Sequence, residues 1–190
     1  MPFRERGAVI LPLAFVVVAV LTGLVAGRTL RGFPAVTIRS WWLAPIGLAL
    51  QVVPGPGDLD YVPLVLSFAV LLVFVGLNLG TPGFILLLVG VGLNLLVIAS
   101  NLGMPVTREA LRASGQLDSI GALEADTKHR LATEHTVLRP LGDAIGLPAP
   151  ISQVVSAGDL CMYVGLAWFS FAAMPARTVR AGRTARLPAA

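Results

Sequence analysis

A carboxyl group stands inside an apolar stretch: Asp159 is the one charged residue between positions 151 and 173. A lone carboxylate in hydrocarbon costs a few kcal/mol on insertion scales, so such a group faces protein or water and takes a partner or a proton. Candidate bases are Lys128, His129 and Arg139, all in the polar segment that precedes the stretch. Asp143, in Leu141-Gly-Asp143, adds a second carboxyl. If folding joins them, Asp143, Asp159 and His129 form an acid–base set for a membrane enzyme acting on a lipid-linked substrate. The structural alternative has Asp159 pinning the preceding loop by accepting its backbone N–H groups. Residue types alone leave both readings open.

Amides and hydroxyls extend the set. Ser152, Ser156, Asp159, Tyr163 and Ser170 fall on one side of a helix, as do Gly83, Gly90, Asn94 and Asn101. Small and amide residues on one face of an apolar helix usually mark contact with another helix. Asn94, Asn101, Lys128, His129, Asp143, Ser156 and Asp159 are therefore the candidate cluster for a ligand site or a structural polar core. Asp159 and Ser156 are expected to meet the 129–143 region, with Asn101 bridging from the other end of the loop.

Other chemistries fit poorly. His129 and His135 are six residues apart, on different helix faces; Asp126 shares a face with His129, but no third ligand is local, so no metal site and no cofactor is expected. Cys161 is the single cysteine, which excludes an intrachain disulfide and a thiolate zinc site. Gly142-Asp143 and Gly158-Asp159 suggest the paired aspartates of intramembrane proteases, but Ser156-Ala-Gly-Asp159 lacks the first glycine of Gly-x-Gly-Asp. No serine-hydrolase elbow, phosphate loop or His-Glu-x-x-His occurs.

The elements that must position these residues follow from composition. Of 190 residues 56% are hydrophobic and 13% charged, against about a quarter charged in soluble domains. The mean hydropathy is +0.83. A helix crossing a bilayer needs about 20 apolar residues. The chain reads as an all-α integral membrane protein with five transmembrane helices, over residues 8–26, 36–53, 62–79, 84–102 and 151–173. A helical polar loop spans 103–150. The whole of 1–176 is one domain, and 177–190 is a basic, disordered tail. The second span is the weakest, and a re-entrant segment is its alternative. Trp41 and Trp42 mark an interface there, and Pro54-Gly-Pro-Gly57 ends it. Spans three and four are expected to form a hairpin with Gly90 and Asn94 facing other helices. In the loop, Thr107 caps a short helix ending near Gly115. A second helical pattern covers 123–138, and Pro140 opens a third.

The net charge of +4 comes from arginines flanking apolar runs, which points to lipid headgroups and away from nucleic acid. Arg28, Arg31 and Arg39 share a side with Arg177, Arg180, Arg183 and Arg186. Arg4, Arg6 and the loop's bases share the other, interleaved with acids. That asymmetry places the C-terminus in the cytoplasm and the loop outside a bacterial cytoplasmic membrane.

The stretch from Leu93 through Ser100-Asn-Leu-Gly-Met-Pro-Val106, then Lys128-His129, Leu141-Gly-Asp143 and Ser156-Ala-Gly-Asp159, resembles an uncharacterised family of small bacterial multi-span membrane proteins. In that family two glycines follow the asparagine; here Leu102 and Gly103 stand there. The resemblance covers most of the chain, implies the span count, and picks out Asn101, His129, Asp143 and Asp159. It implies no activity. The expectation is thus non-enzymatic binding of a ligand, lipid headgroup or partner at the loop, with the bilayer, another membrane protein or a second copy as partners. The membrane enzyme is the alternative, and a transporter component the second.

Overall fold

The computed structural model describes residues 10–30, 36–55, 57–124 and 128–177. Arg4, Arg6, Arg31, Asp126 and the tail from 178 lie outside them, as do the expectations placed there.

The described chain is mostly helical. α1 runs Ile10–Val25, α2 Leu43–Leu50, α3 Val62–Gly76 and α4 Phe84–Asn101. The cap between α4 and the last helix holds β1 (Met104–Val106), α5 (Arg108–Ala113), α6 (Ile120–Glu124), β2 (His129–Leu131), β3 (Ile145–Leu147) and β4 (Gln153–Val155). α7, Ala157–Ala172, closes the fold. The helices pack in the row α2, α3, α4, α7, α1.

Helix length corrects the five-span expectation. Among the described residues one helix, Phe84–Asn101, is long and apolar enough to cross a membrane; Ile10–Val25, Val62–Gly76 and Ala157–Ala172 are apolar but shorter. The second span shrinks to the eight residues of α2, about 12 Å at 1.5 Å per residue. The cause is Asn78. Its Oδ1 accepts from Arg39 N at 2.7 Å, and its Nδ2 donates to Arg39 O at 2.9 Å. The amide thus serves as a peptide partner that holds Arg39 in a turn, and Ser40 follows with φ 48°. The helix starts only after that bend. The fifth helix begins six residues later than expected, because Gln153–Val155 is spent on a strand pair and Ser156 caps α7.

The cap is also less helical than its sequence suggests. Thr107 does cap α5, accepting from Ala110 N at 3.2 Å. The pattern over 123–138, however, contains β2, and Pro140 sits in a single 3-10 turn, Arg139–Leu141. β1 decides this. Gly103, at φ 149°, turns the chain out of α4 so that Met104–Val106 lies extended. β2 pairs with it in parallel, Met104 opposite His129. On the other side Asp143 N donates to Pro105 O at 2.8 Å, and Thr107 N donates to Asp143 O at 3.1 Å. Backbone groups of β1 thus find partners on both flanks, and the helical periodicity of 123–138 loses to that pairing. Val106, Leu111, Leu123 and Val154 form the apolar core of the cap.

α4 and α7 cross in close, antiparallel contact. Glycines seven apart on each helix meet: Gly90 lies against Gly158, and Gly83 against Gly165. Without side chains there, the backbones approach to a distance that any Cβ would prevent. Gly90 and Asn94 do face another helix, but it is α7 rather than α3.

A cleft under the cap

The crossing of α4 and α7 sets the polar centre. Ser156 and Asp159 form a capping box on α7: Asp159 N donates to Ser156 Oγ and Ser156 N donates to Asp159 Oδ2, both at 3.0 Å. This closes two of the orphan donors at the helix start. Asn94, 1% exposed, reaches both partners from α4. Its Nδ2 donates to Asp159 Oδ1 at 2.8 Å, and Ser156 Oγ donates to its Oδ1 at 3.0 Å. Asp159 therefore sits in the first turn of α7. It accepts a backbone N–H from its own cap and an amide from α4, and it shares a cavity with Lys128 and His129.

The strand pairing of the cap brings the remaining groups over this centre. β2 carries His129 and the β1 flank carries Asp143, whose carboxyl lies 3.8 Å from His129 Nε2. Asp143 is 5% exposed. Burial pushes its carboxyl up to about 7, against the pull of His129, and the nearby Asp159 adds to the rise.

Asn94, Lys128, His129, Asp143, Gln153 and Asp159 line the polar part of one cavity of about 340 Å³. Leu48 of α2, Leu64, Phe68 and Leu71 of α3, and Met162 of α7 line the apolar part. That volume is in the range of small-molecule sites.

Of the seven cluster residues expected from sequence, six are brought to this region: five of those, Lys128 included, line the cavity directly, and Ser156 bonds behind them. Asn101 is elsewhere. Its side chain exchanges hydrogen bonds with the backbone of Val137 at 2.9 Å each way, and it borders a separate rim pocket with Asp60 and Arg130. Arg130 Nη2 bonds Asp60 there at 3.1 Å, and its Nε donates to Leu102 O at 2.6 Å. Arg139 pairs with Glu109 on the surface, away from Asp159. His135 is exposed and is not part of the cavity wall. Among the described residues no three His, Cys, Asp or Glu side chains converge to hold a metal ion.

Sequence reasoning missed Gln153, Met162 and the role of Asn78. Asn78 and Asn94 occupy the same place in the near-repeat Leu-Asn-Leu, and both are buried. A buried amide in an apolar helix requires a partner; that was the available signal, applied only to Asn94. Gln153 carried none, since its burial follows from β3–β4 pairing.

The family described as "Family of unknown function (DUF5317)" matches residues 35–171, a range that contains every residue of the cleft. The chain is also similar to an uncharacterized protein of Thermotoga maritima, 30% identical over 152 residues that cover 78% of this chain and 83% of that protein. No solved structure matches.

Proposed function

The chain belongs to the DUF5317 family of unknown function, and from that premise we propose that it is a membrane-embedded binding protein whose ligand occupies the cleft under the cap. The observation that carries this reading is the division of one cavity into a polar end, with Asp143, Asp159, His129 and Lys128, and an apolar wall from α2, α3 and α7. A site of that shape suits a molecule with a polar head and an apolar tail. The bilayer setting is supported by exposed apolar side chains on outward helix faces, among them Val18 at 62%, Leu21 at 55% and Val73 at 56%. Patches of this extent on a soluble monomer are rare. Trp41 and Trp42, both exposed, suit an interfacial belt at the start of α2. In this setting α4 spans, the shorter apolar helices α1, α3 and α7 cross beside it, and α2 enters partway. The cap lies outside the cytoplasmic membrane and the C-terminus inside.

The test is extraction of the protein with its surrounding lipid into polymer-bounded discs, followed by mass spectrometry of the bound small molecules. The wild type is expected to retain one amphiphile above its abundance in the bulk membrane. Met162→Trp, which fills the cleft from α7, is expected to lose it. Identical profiles for the two proteins would remove the reading.

A second reading rests on the His129–Asp143 pair. A carboxyl with its pKa near 7 beside an imidazole, at the polar end of a cleft, is the arrangement of an acid–base catalyst. Conversion of the retained amphiphile by wild type and not by His129→Gln would select it over binding alone.

A further inference from the structure

The polar end of the cleft holds one buried acceptor without a partner, beside the hydroxyl of Tyr163. Gln153 is 8% exposed, lines the cavity, and its Oε1 has no hydrogen-bond partner among the described residues. A buried acceptor left unsatisfied is costly and calls for a donor. The Asp143 carboxyl, also buried, lines the same cavity with His129 Nε2 at 3.8 Å. Asp159 accepts from Asn94 Nδ2 and Ser156 N, one on each oxygen, and a carboxylate oxygen has two lone pairs. The charges nearly balance, with Asp159 and the titratable Asp143 against Lys128 and the titratable His129. An anionic head would place its charge against two carboxyls and a carbonyl oxygen. A cationic head would meet Lys128. Hydroxyls donate to all three acceptors without a charge to desolvate.

The other wall identifies the rest of the molecule. Leu64 and Phe68 are buried, Leu48 is 58% exposed, and α2 packs on α3 while α7 packs on α4 and α1. The cleft therefore runs between α2 and α7 with α3 and α4 as its floor. Because α2 has only eight residues, that side is not walled along its full depth.

We propose that the cleft binds a long-chain amphiphile with an uncharged, hydroxyl-bearing head, whose hydroxyls donate to Gln153, Asp143 and Asp159 while its chain lies along Leu64, Phe68 and Leu71 and leaves past Leu48. This rests on the membrane-binding reading above and adds the ligand class.

The experiment places the full chain in nanodiscs with a trace of one photoreactive lipid at a time, each with the diazirine on the first chain carbons. The four probes are diacylglycerol, glucosyl-diacylglycerol, phosphatidate and an alkylammonium lipid. Crosslinks are mapped by peptide mass spectrometry, with α1 as the internal measure of bulk lipid contact. One or both neutral probes are expected to label peptides holding residues 64–71 or 159–163 well above α1; the better of the two identifies the head as a glycerol or a sugar. Gln153→Met keeps the length of the side chain and removes the acceptor. It is expected to reduce that labelling about three- to tenfold, the loss of one neutral hydrogen bond, with α1 labelling and the melting temperature unchanged. If Gln153→Met melts early, competition of probe labelling in the wild type by unlabelled glucosyl-diacylglycerol against unlabelled phosphatidate decides the same point. Preferential cleft labelling or competition by phosphatidate or the ammonium lipid overturns the ligand class and leaves the amphiphile site standing. Labelling of the cleft no higher than α1 by all four probes overturns both.

Discussion

Adding one methyl group at either of two positions on α4 tests whether the α4–α7 contact organises the molecule. At Gly90 a Cβ would collide with Gly158 O and would lie 2.6 Å from Met162 Cγ and 3.0 Å from Met162 N. Two of these three are backbone atoms, so relief requires the helices to part. Overpacking of this kind costs about 1–3 kcal/mol, and backbone neighbours put it at the upper end. The gain in helix propensity from Gly to Ala is about 1 kcal/mol. Gly90→Ala should therefore lose about 2 kcal/mol. At Gly92, two residues on, the nearest atom to a Cβ is Leu72 Cδ1 at 3.8 Å, ordinary contact. Gly92→Ala should keep the propensity gain of about 1 kcal/mol. In thermal unfolding of the purified protein in one detergent, about 2–4 °C per kcal/mol applies at this chain length. Gly90→Ala is then expected to melt about 4–8 °C lower and Gly92→Ala about 2–4 °C higher. Gly90 is one turn from Asn94, so the first variant should also weaken the Asn94 bonds to Ser156 and Asp159. Equal tolerance at the two positions would refute the close crossing, and with it the placement of the cleft.

The polar centre gives three further expectations. Asn94→Leu leaves the Ser156 hydroxyl and one Asp159 oxygen without their partners and should cost about 1–3 kcal/mol, whereas Asp159→Asn, which retains an acceptor for Ser156 N, should cost less; denaturation of the two variants side by side checks the order. Asp143 has its folded pKa raised from 3.8 to about 7, so the fold favours its protonated form: that contribution is full below about pH 4 and is lost as pH rises through about 7. Melting temperature against pH should fall over that window in the wild type and fall less in Asp143→Asn. A cysteine at the exposed Asp118, in a Cys161→Ser background, is expected to react with an impermeant thiol reagent in intact cells, and labelling only after lysis would reverse the topology.

The identities of the chemical residues were legible in the chain, but not their arrangement. Asn94, His129, Asp143, Ser156 and Asp159 stood out because a polar group in an apolar setting has few ways to be satisfied. Their joining at one cleft required β1, a strand of three residues with proline at its centre that no periodicity announces. It is β1 that draws in β2 and Asp143 and so carries His129 over Asp159. Asn101 shows the converse: the helix face it shares with Asn94 is real, yet its amide is consumed by the backbone of Val137.

By itself the sequence determined what depends on composition and local order. It set the apolar character of the chain, the approximate centres of its long helices, the Thr107 cap and the turn at Gly80-Thr-Pro-Gly83. Helix centres follow from runs of apolar residues, and caps from the residue beside an unpaired N–H. Tertiary structure decided where helices begin, since Asn78 delays the start of α2 from 39 residues away and pairing with β3 takes the residues ahead of α7 into β4. It also decided which polar groups face one another. Hydrogen-bond partners far apart in the chain leave no period in the sequence, because their geometry is fixed only when α4 and α7 close on their glycines.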